Sequence, residues 1–378
     1  MRSSDEKPAK SAMAKLGLIS AFAVLITVLA SACQPQSTPY TFNLPETVPP
    51  PVVPVGNPLT EEKVRLGRRL FYDTALSVNQ TQSCASCHQQ QFAFAQATVH
   101  ATGATGDKVS RNSMALVNVA YNSAFTWAHN GFAQIEQQLL IPLFNESPVE
   151  LGITGHEDII LKRLTTHEYE RLFDAAFATK TPNFDRIVKA LASFVRSITS
   201  FNSPFDQYAY QGDDSALTPQ QIKGMNLFFS ERTECFHCHG GVNFSQSSTH
   251  TGQSLVLQPF HNTGMYNEDG QGAYPSDDQG LVRITHKQED MGKFRAPTLR
   301  NIALSAPYMH DGSIASLAEV IEFYAQGGSE QGKSNPHKSP FVKGFALTDE
   351  EKIALEAFLN SLTDNSFLTN PAYGPPLN

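Results

Sequence analysis

The sequence predicts a mainly helical fold made of two small domains of the same kind, and three observations support it. A Cys-x-x-Cys-His run occurs twice, at Cys84–His88 and Cys235–His239. The order Gly-x-x-Leu-Phe-aromatic precedes each run, at Gly67–Tyr72 and Gly224–Phe229. Apolar residues at helical spacing close each half. A length of 378 residues accommodates two domains of ordinary size.

The two Cys-x-x-Cys-His runs are typical of covalent attachment of c-type haem. Two thiols at this spacing can form thioethers to one porphyrin while the adjoining imidazole binds its iron. A zinc ribbon would bring its Cys pairs within roughly 15–20 residues of each other, and a disulfide would not require a His after each pair. The fold class is therefore mainly α, with two cytochrome c-like helical domains that each bind one c-type haem. The predicted haem-binding residues are Cys84, Cys87 and His88 in the first domain and Cys235, Cys238 and His239 in the second.

The N-terminus has the features of an export signal. Basic residues occur before residue 16, and an apolar run from Leu16 to Ala30 follows; this run is too short for a membrane span. Leu29–Cys33 resembles a bacterial lipoprotein cleavage box. The fifth cysteine, Cys33, is therefore a candidate lipid anchor, and cleavage beside it without lipidation is the alternative. We predict a signal peptide over residues 1–32 and a periplasmic location, because c-type haem is attached outside the cytoplasm.

The remaining chain is predicted to form a tether and two domains. Residues 33–58 are rich in proline and almost free of charge, so we expect an extended tether that buries no core. An N-terminal domain is predicted over residues 59–201 and a C-terminal domain over 202–378. Residues 202–216 are expected to link them. The Gly-, Ser- and Asn-rich stretch 240–293 is expected to form a long irregular insertion in the second domain.

Local signals place the main helices. Thr60, before two glutamates, caps a first helix, and Thr218-Pro219 opens its counterpart in the second domain. Apolar residues at helical spacing over 187–198 predict the helix that closes the first domain. Thr348–Glu351 has the pattern of a capping box, and the apolar residues after it predict the last long helix.

The charge balance excludes some classes of partner. The chain has a formal net charge of −8. Loss of the signal peptide removes four basic and two acidic residues, which takes the mature chain to −10. A surface of this sign disfavours nucleic acid and anionic membrane as partners.

Several further phrases are similar to one family. They are Leu66–Asp73, Arg111–Ser113, Trp127, Pro297–Asn301 and Ala306–Gly312. The chain resembles the bacterial di-haem cytochrome c peroxidase and MauG superfamily over nearly all its length after the tether. Within it the chain most resembles the MbnH-type di-haem enzymes, which work with a partner copper-binding protein. The phrases that carry this second likeness are Pro148–Gly152 and Glu234–Gly241.

The resemblance implies different roles for the two haems. The N-terminal haem reacts with hydrogen peroxide and the other stores or passes electrons, with a Trp between them and a calcium ion near their interface. Trp127, the only tryptophan, matches the Trp between the haems, although a single Trp is otherwise a residue of core packing. Asn112 and the backbone carbonyls of Ser305 and Pro307 match the calcium ligands. Oxygen-only ligation suits calcium, and Ser305 stands where the family has Thr.

The resemblance also implies an open iron at the first haem. In ordinary di-haem peroxidases a His in the loop after the first motif blocks the iron until reduction releases it. Thr105 occupies that place here, and His100 lies too far upstream to align. We therefore predict a five-coordinate iron bound by His88, and we expect His100 to be an exposed loop residue.

Splitting peroxide needs a group that moves a proton to the leaving oxygen. The resemblance implies that Gln138 is the amide of the peroxide pocket, that Pro142 lies over the haem and that Glu150 is the pocket carboxylate. This chain carries extra residues between Gln138 and Glu150, which leaves Glu146 as an alternative. We expect Glu146 and Glu136 to lie on a solvated face.

The sixth ligand of the second haem decides its electronic character. Met raises the potential of a haem, whereas a phenolate oxygen is harder and suits high-valent iron. Tyr324 stands at the place of the peroxidases' Met and of the axial Tyr of MauG. Met309 is the competing candidate, and the spacing excludes neither.

Three functions remain in competition. The first is a peroxide-dependent oxidase, in which a high-valent di-iron state oxidises a residue of a partner copper-binding protein, with Trp converted to kynurenine. The second is a cytochrome c peroxidase that reduces hydrogen peroxide to water with electrons from a small cytochrome or cupredoxin. The third is an electron carrier without catalysis. Because Trp127 is the only Trp, electrons would enter through Tyr or at a haem edge near Phe236 or His237.

Overall fold

The computed structural model describes residues 37–377, so the predicted signal peptide and Cys33 lie outside the described residues. No helix within this range is long and apolar enough to cross a membrane. The helices of the first half are α1 Glu61–Tyr72, α2 Cys84–Cys87, α3 Ile135–Gln138, α4 Leu140–Phe144, α5 Glu157–Arg163, α6 His167–Phe177 and α7 Phe184–Ser197. Those of the second half are α8 Pro204–Tyr210, α9 Pro219–Phe228, α10 Cys235–His239, α11 Val282–Thr285, α12 Leu317–Ala325, α13 Asp349–Asn360 and α14 Asn365–Leu368.

The same packed helix pair occurs in both halves, which confirms the predicted duplication. Helix α1 packs on α7 and helix α9 packs on α13. Gly67 of α1 lies against the backbone carbonyl of Ala190, and Gly224 of α9 lies against that of Ala354. A Cβ at either glycine would collide with the carbonyl oxygen. The predicted caps are also present: the Thr60, Thr218 and Thr348 side chains accept from the amides of Lys63, Gln221 and Glu351.

We expect Gly67→Ala and Gly224→Ala each to lower the free energy of unfolding by about 1–3 kcal/mol or more, because the added methyl forces two backbones apart. The helix preference for Ala over Gly, at most about 1 kcal/mol, is too small to offset this. Denaturant unfolding of the holoprotein measures the change. Gly56→Ala is the matched control, because its methyl meets no atom within 4 Å. An unchanged midpoint for both helix variants would contradict the close contact.

Two hydrophobic cores follow from the helix pairs, but the chain does not divide cleanly at residue 202. The first core contains α1, α6 and α7 and also Phe367 and Tyr373 from the end of the chain. The Tyr72 hydroxyl donates to the carbonyl of Tyr373 at 2.7 Å, and Arg68 Nε donates to the carbonyl of Gly374 at 2.7 Å. The predicted C-terminal domain is therefore wrong in its last residues, which pack on the N-terminal domain.

The Pro-rich segment has almost no regular secondary structure over residues 37–58, but it is not a free tether. Val48 is buried in a cluster with Tyr121 and Phe201. The carbonyl of Pro49 accepts from the Tyr121 hydroxyl at 2.9 Å, and Asn57 is buried and donates to the carbonyl of Lys189 at 2.9 Å. The expectation that this segment buries no core is wrong, because its carbonyls and few apolar side chains find partners on the body.

The expected linker is also folded. Helix α8 lies within residues 202–216, and its Asp206 forms a fully buried ion pair with Arg300, with a shortest distance of 2.8 Å. The Arg300 guanidinium stacks over the ring of Phe201 at 4.1 Å. A buried charge pair holds a segment in place because neither partner can be left uncompensated. This stretch therefore belongs to the body of the protein.

The stretch 240–293 is mostly irregular, as predicted. Within it the two-residue strand β1, Phe260–His261, pairs antiparallel with β2, Phe294–Arg295. The backbone N–H of Arg295 donates to the carbonyl of Trp127 at 2.8 Å. The strand β2, which directly follows the insertion and pairs with its β1, thus lies beside Trp127, the only tryptophan.

Candidate di-haem active site

Each Cys-x-x-Cys-His run opens into its own cavity. The first cavity, of about 310 Å³, is lined by Cys84, Cys87 and His88. The second, of about 190 Å³, is lined by Cys235, Cys238 and His239. The thiols of all four cysteines are free, and burial raises the pKa of each above its ordinary value. Each cavity therefore presents two protonated thiols and an imidazole on one wall, which fits a covalently attached haem.

The two imidazoles are held in the same way. His88 Nδ1 lies 2.8 Å from the carbonyl oxygen of Phe94, and His239 Nδ1 lies 3.2 Å from that of Phe244 and 3.1 Å from that of Pro297. An Nδ1–H that donates to a carbonyl leaves Nε2 free to bind a metal. Burial lowers the pKa of both imidazoles, to about 4 for His239. Both are therefore neutral, the form that ligates iron.

The wall of the first cavity contains the predicted peroxide-pocket residues. Gln138, Pro142 and Glu150 all line it. Gln138 Oε1 is buried without a hydrogen-bond donor, and burial raises the pKa of Glu150 to about 7. Glu146 is exposed and lies outside this wall. The geometry therefore favours Glu150 over Glu146 as the pocket carboxylate.

Both candidate sixth ligands line the second cavity. Tyr324 lies on α12, and burial raises the pKa of its phenol. Met309 lies in the loop before α12, with a φ of +72°. His310, next to it, is buried, lines the same cavity and stacks on Phe294 with the ring centroids 3.6 Å apart. Tyr324 and Met309 therefore both line the cavity that contains His239.

Two side chains lie where the cavities approach each other. Trp127 lines both cavities, and its Nε1–H donates to the carbonyl of Asn112 at 2.8 Å. Arg295, which follows Phe294 in β2, also lines both. Trp127 and Arg295 thus belong to the wall that the two cavities share.

Comparison with known proteins gives consistent matches. A family model described as di-haem cytochrome c peroxidase matches residues 61–215. Cytochrome-c peroxidase IdrP1 of Denitromonas iodatirespirans is 31% identical over 334 residues, which cover 84% of this chain and 85% of that protein. Methylamine utilization protein MauG of Methylorubrum extorquens is 32% identical over 326 residues, which cover 85% of this chain and 83% of that protein. This chain belongs to the di-haem cytochrome c peroxidase and MauG family.

A solved structure extends the family match. The crystal structure of a MauG-like protein associated with microbial copper homeostasis is 43% identical, with a TM-score of 0.87, and the match covers 89% of this chain and 99% of that chain. As a member of the cytochrome c peroxidase and MauG family, this protein is an oxidoreductase that acts on hydrogen peroxide. The family is di-haem, and the two cavities are where the haems fit.

Thr105, which stands at the place of the blocking histidine, lies away from the first cavity. Thr105 is exposed and does not line the cavity. His88 is the only histidine among the described lining residues, and the one thioether, Met114 Sδ, accepts from Arg295 Nη2 at 3.0 Å. His100 lies outside the wall too, but the expectation of an exposed residue is wrong: it is half-buried, and its Nδ1 is buried without a partner.

Glu136 is the second expectation that the structure corrects. Both its carboxylate oxygens accept from Arg196 Nη2 at 3.0 Å, and Asn57 Nδ2 donates to Oε1 at 2.9 Å. The side chain of Arg196 is only 3% exposed. Glu136 therefore compensates a buried cation on α7 instead of lying on a solvated face, because helix α3 packs against α7.

A backbone hydrogen bond joins Asn112, one of the predicted calcium ligands, to His310, three residues after Pro307. The amide N–H of Asn112 donates to the carbonyl of His310 at 2.8 Å, so the buried Asn112 contacts the loop that contains Ser305 and Pro307. Asn112 Nδ2 donates to the carbonyls of Thr98 and Val99. Among residues 37–377 no group donates to Asn112 Oδ1, which stays available as an oxygen ligand.

Sequence reasoning missed Arg295. Its signal was a single basic residue placed between Phe294 and Ala296, directly before the family phrase Pro297–Asn301. The Arg111 side chain was also missed; it lines the first cavity and donates to both oxygens of Asp278, at 2.8 and 2.6 Å. A basic residue in a two-residue strand can point to either side of the strand. Only the fold shows that Arg295 lines the two cavities.

Proposed function

We propose that this protein is a peroxide-dependent di-haem oxidase whose substrate is a residue of a partner copper-binding protein, with Trp converted to kynurenine. One observation carries the proposal. The wall of the first cavity has a half-buried carboxyl, at Glu150, and an unpartnered amide oxygen, at Gln138, and no second histidine occurs among its described residues. The similarity of this chain to a MauG-like protein associated with microbial copper homeostasis supports a copper-binding protein as the partner.

The side chains of the first cavity handle the protons of peroxide. A haem held by His88 supplies the iron and the redox chemistry of O–O cleavage. Glu150, with a pKa of about 7, accepts the proton of the attacking oxygen and returns it to the leaving oxygen, which departs as water. Gln138 Oε1, buried without a donor, accepts a hydrogen bond from the peroxide and orients it. Pro142 fills the wall beside them and excludes water.

Electrons from the partner reach the first cavity through the second. Trp127, which lines both cavities, is the relay. Phe341 lines the second cavity, is 39% exposed and stacks on His237 with the ring centroids 4.4 Å apart. We propose the Phe341 and His237 pair as the entry point at the surface. Each peroxide takes up two electrons and two protons and leaves as two waters. Conversion of Trp to kynurenine removes four electrons, adds oxygen from water and ends with hydrolytic loss of formate, so it consumes two peroxides.

We also propose the sixth ligand of the second haem, a calcium site and a cellular location. Tyr324 is the proposed sixth ligand of the second haem, because a phenolate suits the oxidised iron that the function needs. A calcium ion is proposed between Asn112 Oδ1 and the carbonyls of Ser305 and Pro307, since oxygen-only ligation suits it. The protein is proposed to act in the periplasm, and lipidation of Cys33 would anchor it to the membrane.

A cytochrome c peroxidase that takes electrons from a small cytochrome or cupredoxin is the second candidate. Met309 favours it, because this thioether lines the same cavity as Tyr324. A thioether ligand raises the haem potential and suits a reducible electron store. The cytochrome-c peroxidases among the relatives have the same family relation to this chain as MauG does.

The resting protein separates the two functions. We expect the diferric holoprotein to show a mixture of high-spin and low-spin iron. Among the described residues, Tyr324 and Met309 line the second cavity as candidate sixth ligands, whereas the first has no second histidine and its one thioether is held by Arg295. Peroxide added without prior reduction should then change the spectra of both haems, and a copper-binding partner should gain an oxidised Trp by mass spectrometry. A response to peroxide only after one-electron reduction, with turnover of a cytochrome donor, would favour the peroxidase.

A further inference from the structure

We infer that Arg295 is a carboxylate-binding site shared by the two haems, where its guanidinium holds a propionate group of each. The inference rests on the two haems of the family and not on which substrate they oxidise. A haem attached through its vinyl groups keeps its propionates, and these are the anions that the cofactor brings into the two cavities. Arg295 is the only charged side chain among the described residues that lines both.

The burial of Arg295 demands an anion. The residue is 4% exposed, and burial lowers the pKa of its guanidinium to about 10, so it stays charged near neutral pH. Within residues 37–377 it pairs with no carboxylate. An unpaired charge inside a protein costs several kcal/mol even after relaxation. The positive charge of Arg295 therefore stays uncompensated until an anion binds beside it.

The protein contacts of the guanidinium are too weak to replace that anion. Its Nε donates to the carbonyl of Thr126 at 3.2 Å and Nη1 to that of Ala296 at 3.5 Å. Its Nη2 donates to Met114 Sδ at 3.0 Å. All three acceptors are neutral, and one is a thioether, a poor acceptor. A guanidinium offers five N–H donors in a plane, so donors remain for carboxylate oxygens.

Comparison with two other partly or fully buried arginines supports the assignment. Arg111 also lines the first cavity, but it forms a bidentate pair with Asp278. Arg300 is buried as deeply as Arg295 and pairs with Asp206. The fold provides a carboxylate for each of these cations. At Arg295, on the wall common to both cavities, it provides none.

The backbone holds Arg295 at a defined position between the cavities. Arg295 pairs with Phe260 in the antiparallel β1–β2 ladder, and its backbone N–H donates to the carbonyl of Trp127. These backbone contacts fix the main chain of Arg295 beside Trp127, at the wall that both cavities share. A fixed positive charge bound to both propionates stabilises the extra electron of either reduced haem, so it raises the reduction potentials of both.

Redox titration of the holoprotein tests the shared site. We expect Arg295→Gln to lower both midpoint potentials, with about a tenfold change in each reduction equilibrium constant, or ~59 mV for a one-electron couple. Arg295→Lys keeps the charge and should keep most of both potentials. Arg68→Gln is the control, because Arg68 is half-exposed and donates to carbonyls near the C-terminus.

A second measurement makes the result unambiguous. Redox-difference infrared spectra should show the propionate carboxylate bands shifted in Arg295→Gln, and in Arg295→Lys if the glutamine variant does not fold. Unchanged potentials and unchanged carboxylate bands would overturn the inference. A shift confined to one haem would overturn the shared site, since Arg295 would then serve a single cavity.

Discussion

Replacing Glu150 by Gln is expected to slow the reaction of the diferric holoprotein with hydrogen peroxide by about 10²–10⁴-fold, the usual loss when a general acid–base is removed. Gln has nearly the same shape as Glu but cannot accept and return a proton. Glu150 is half-buried in the wall of the first cavity, where bulk water cannot easily take over its role. Stopped-flow absorbance of the haems measures the rate.

Glu146→Gln is the matched control. Glu146 is exposed, lies four positions before Glu150 and does not line the cavity, so its variant should react at the rate of the unmodified protein. Equal loss in both variants would point to a general effect on the loop. Loss in Glu146→Gln alone would mean that the pocket carboxylate was assigned to the wrong residue.

The same carboxyl sets the expected pH dependence. Burial raises the pKa of Glu150 from its ordinary value to about 7, and only the ionised form accepts a proton. The rate should therefore rise as the pH increases from about 5 to about 8, with half its maximum near pH 7. In Glu150→Gln this rise should disappear. A rise that persists in the variant would assign the titration to another group.

Features set by neighbouring residues could be predicted from the sequence. Helix α1 begins after its Thr60 cap because a hydroxyl satisfies a free amide of the first turn. The haem-attachment residues follow from the spacing of two thiols and an imidazole, which is a local constraint. The likeness of the two halves was visible at Gly67 and Gly224 because both helices need a glycine where a neighbouring backbone approaches.

Features set by distant residues could not be predicted in this way. Phe367 packs edge-on against Phe94 with the ring centroids 5.8 Å apart, across most of the length of the chain. Nothing in the local pattern around Phe367 indicates which core it enters. The docking of Val48 on Tyr121 is a contact of the same kind. A proline-rich composition predicts an extended backbone, but it does not predict whether that backbone has a surface to lie on.

In the candidate site, too, residue identities could be predicted from the sequence, whereas properties that depend on distant residues could not. Gln138 and Glu150 could be assigned by resemblance, yet the buried, unpartnered oxygen of Gln138 and the raised pKa of Glu150 are properties of the folded wall. Arg295 escaped notice because its importance depends on two cavities meeting at one residue. The sequence separates those cavities by about half the chain, and only tertiary packing brings them together.

Replacing Trp127 by Phe is expected to stop the transfer of oxidising equivalents between the two haems. Phenylalanine keeps an aromatic ring in the wall shared by both cavities. It removes the indole, which is far easier to oxidise, and the Nε1–H that donates to the carbonyl of Asn112. Peroxide should still react at the first haem, while the spectrum of the second haem stays unchanged and oxidation of the partner falls to the level seen without peroxide.

Two companion variants decide what such a loss means. Trp127→Tyr restores an oxidisable ring and should recover part of the transfer. Phe125→Leu removes an aromatic ring from the same loop and the same cavity wall, so transfer should survive if oxidisability, and not packing, is what matters. Transfer at the normal rate in Trp127→Phe would exclude the indole as relay. The route would then have to pass directly between the haem edges, beside the wall where Arg295 lines both cavities.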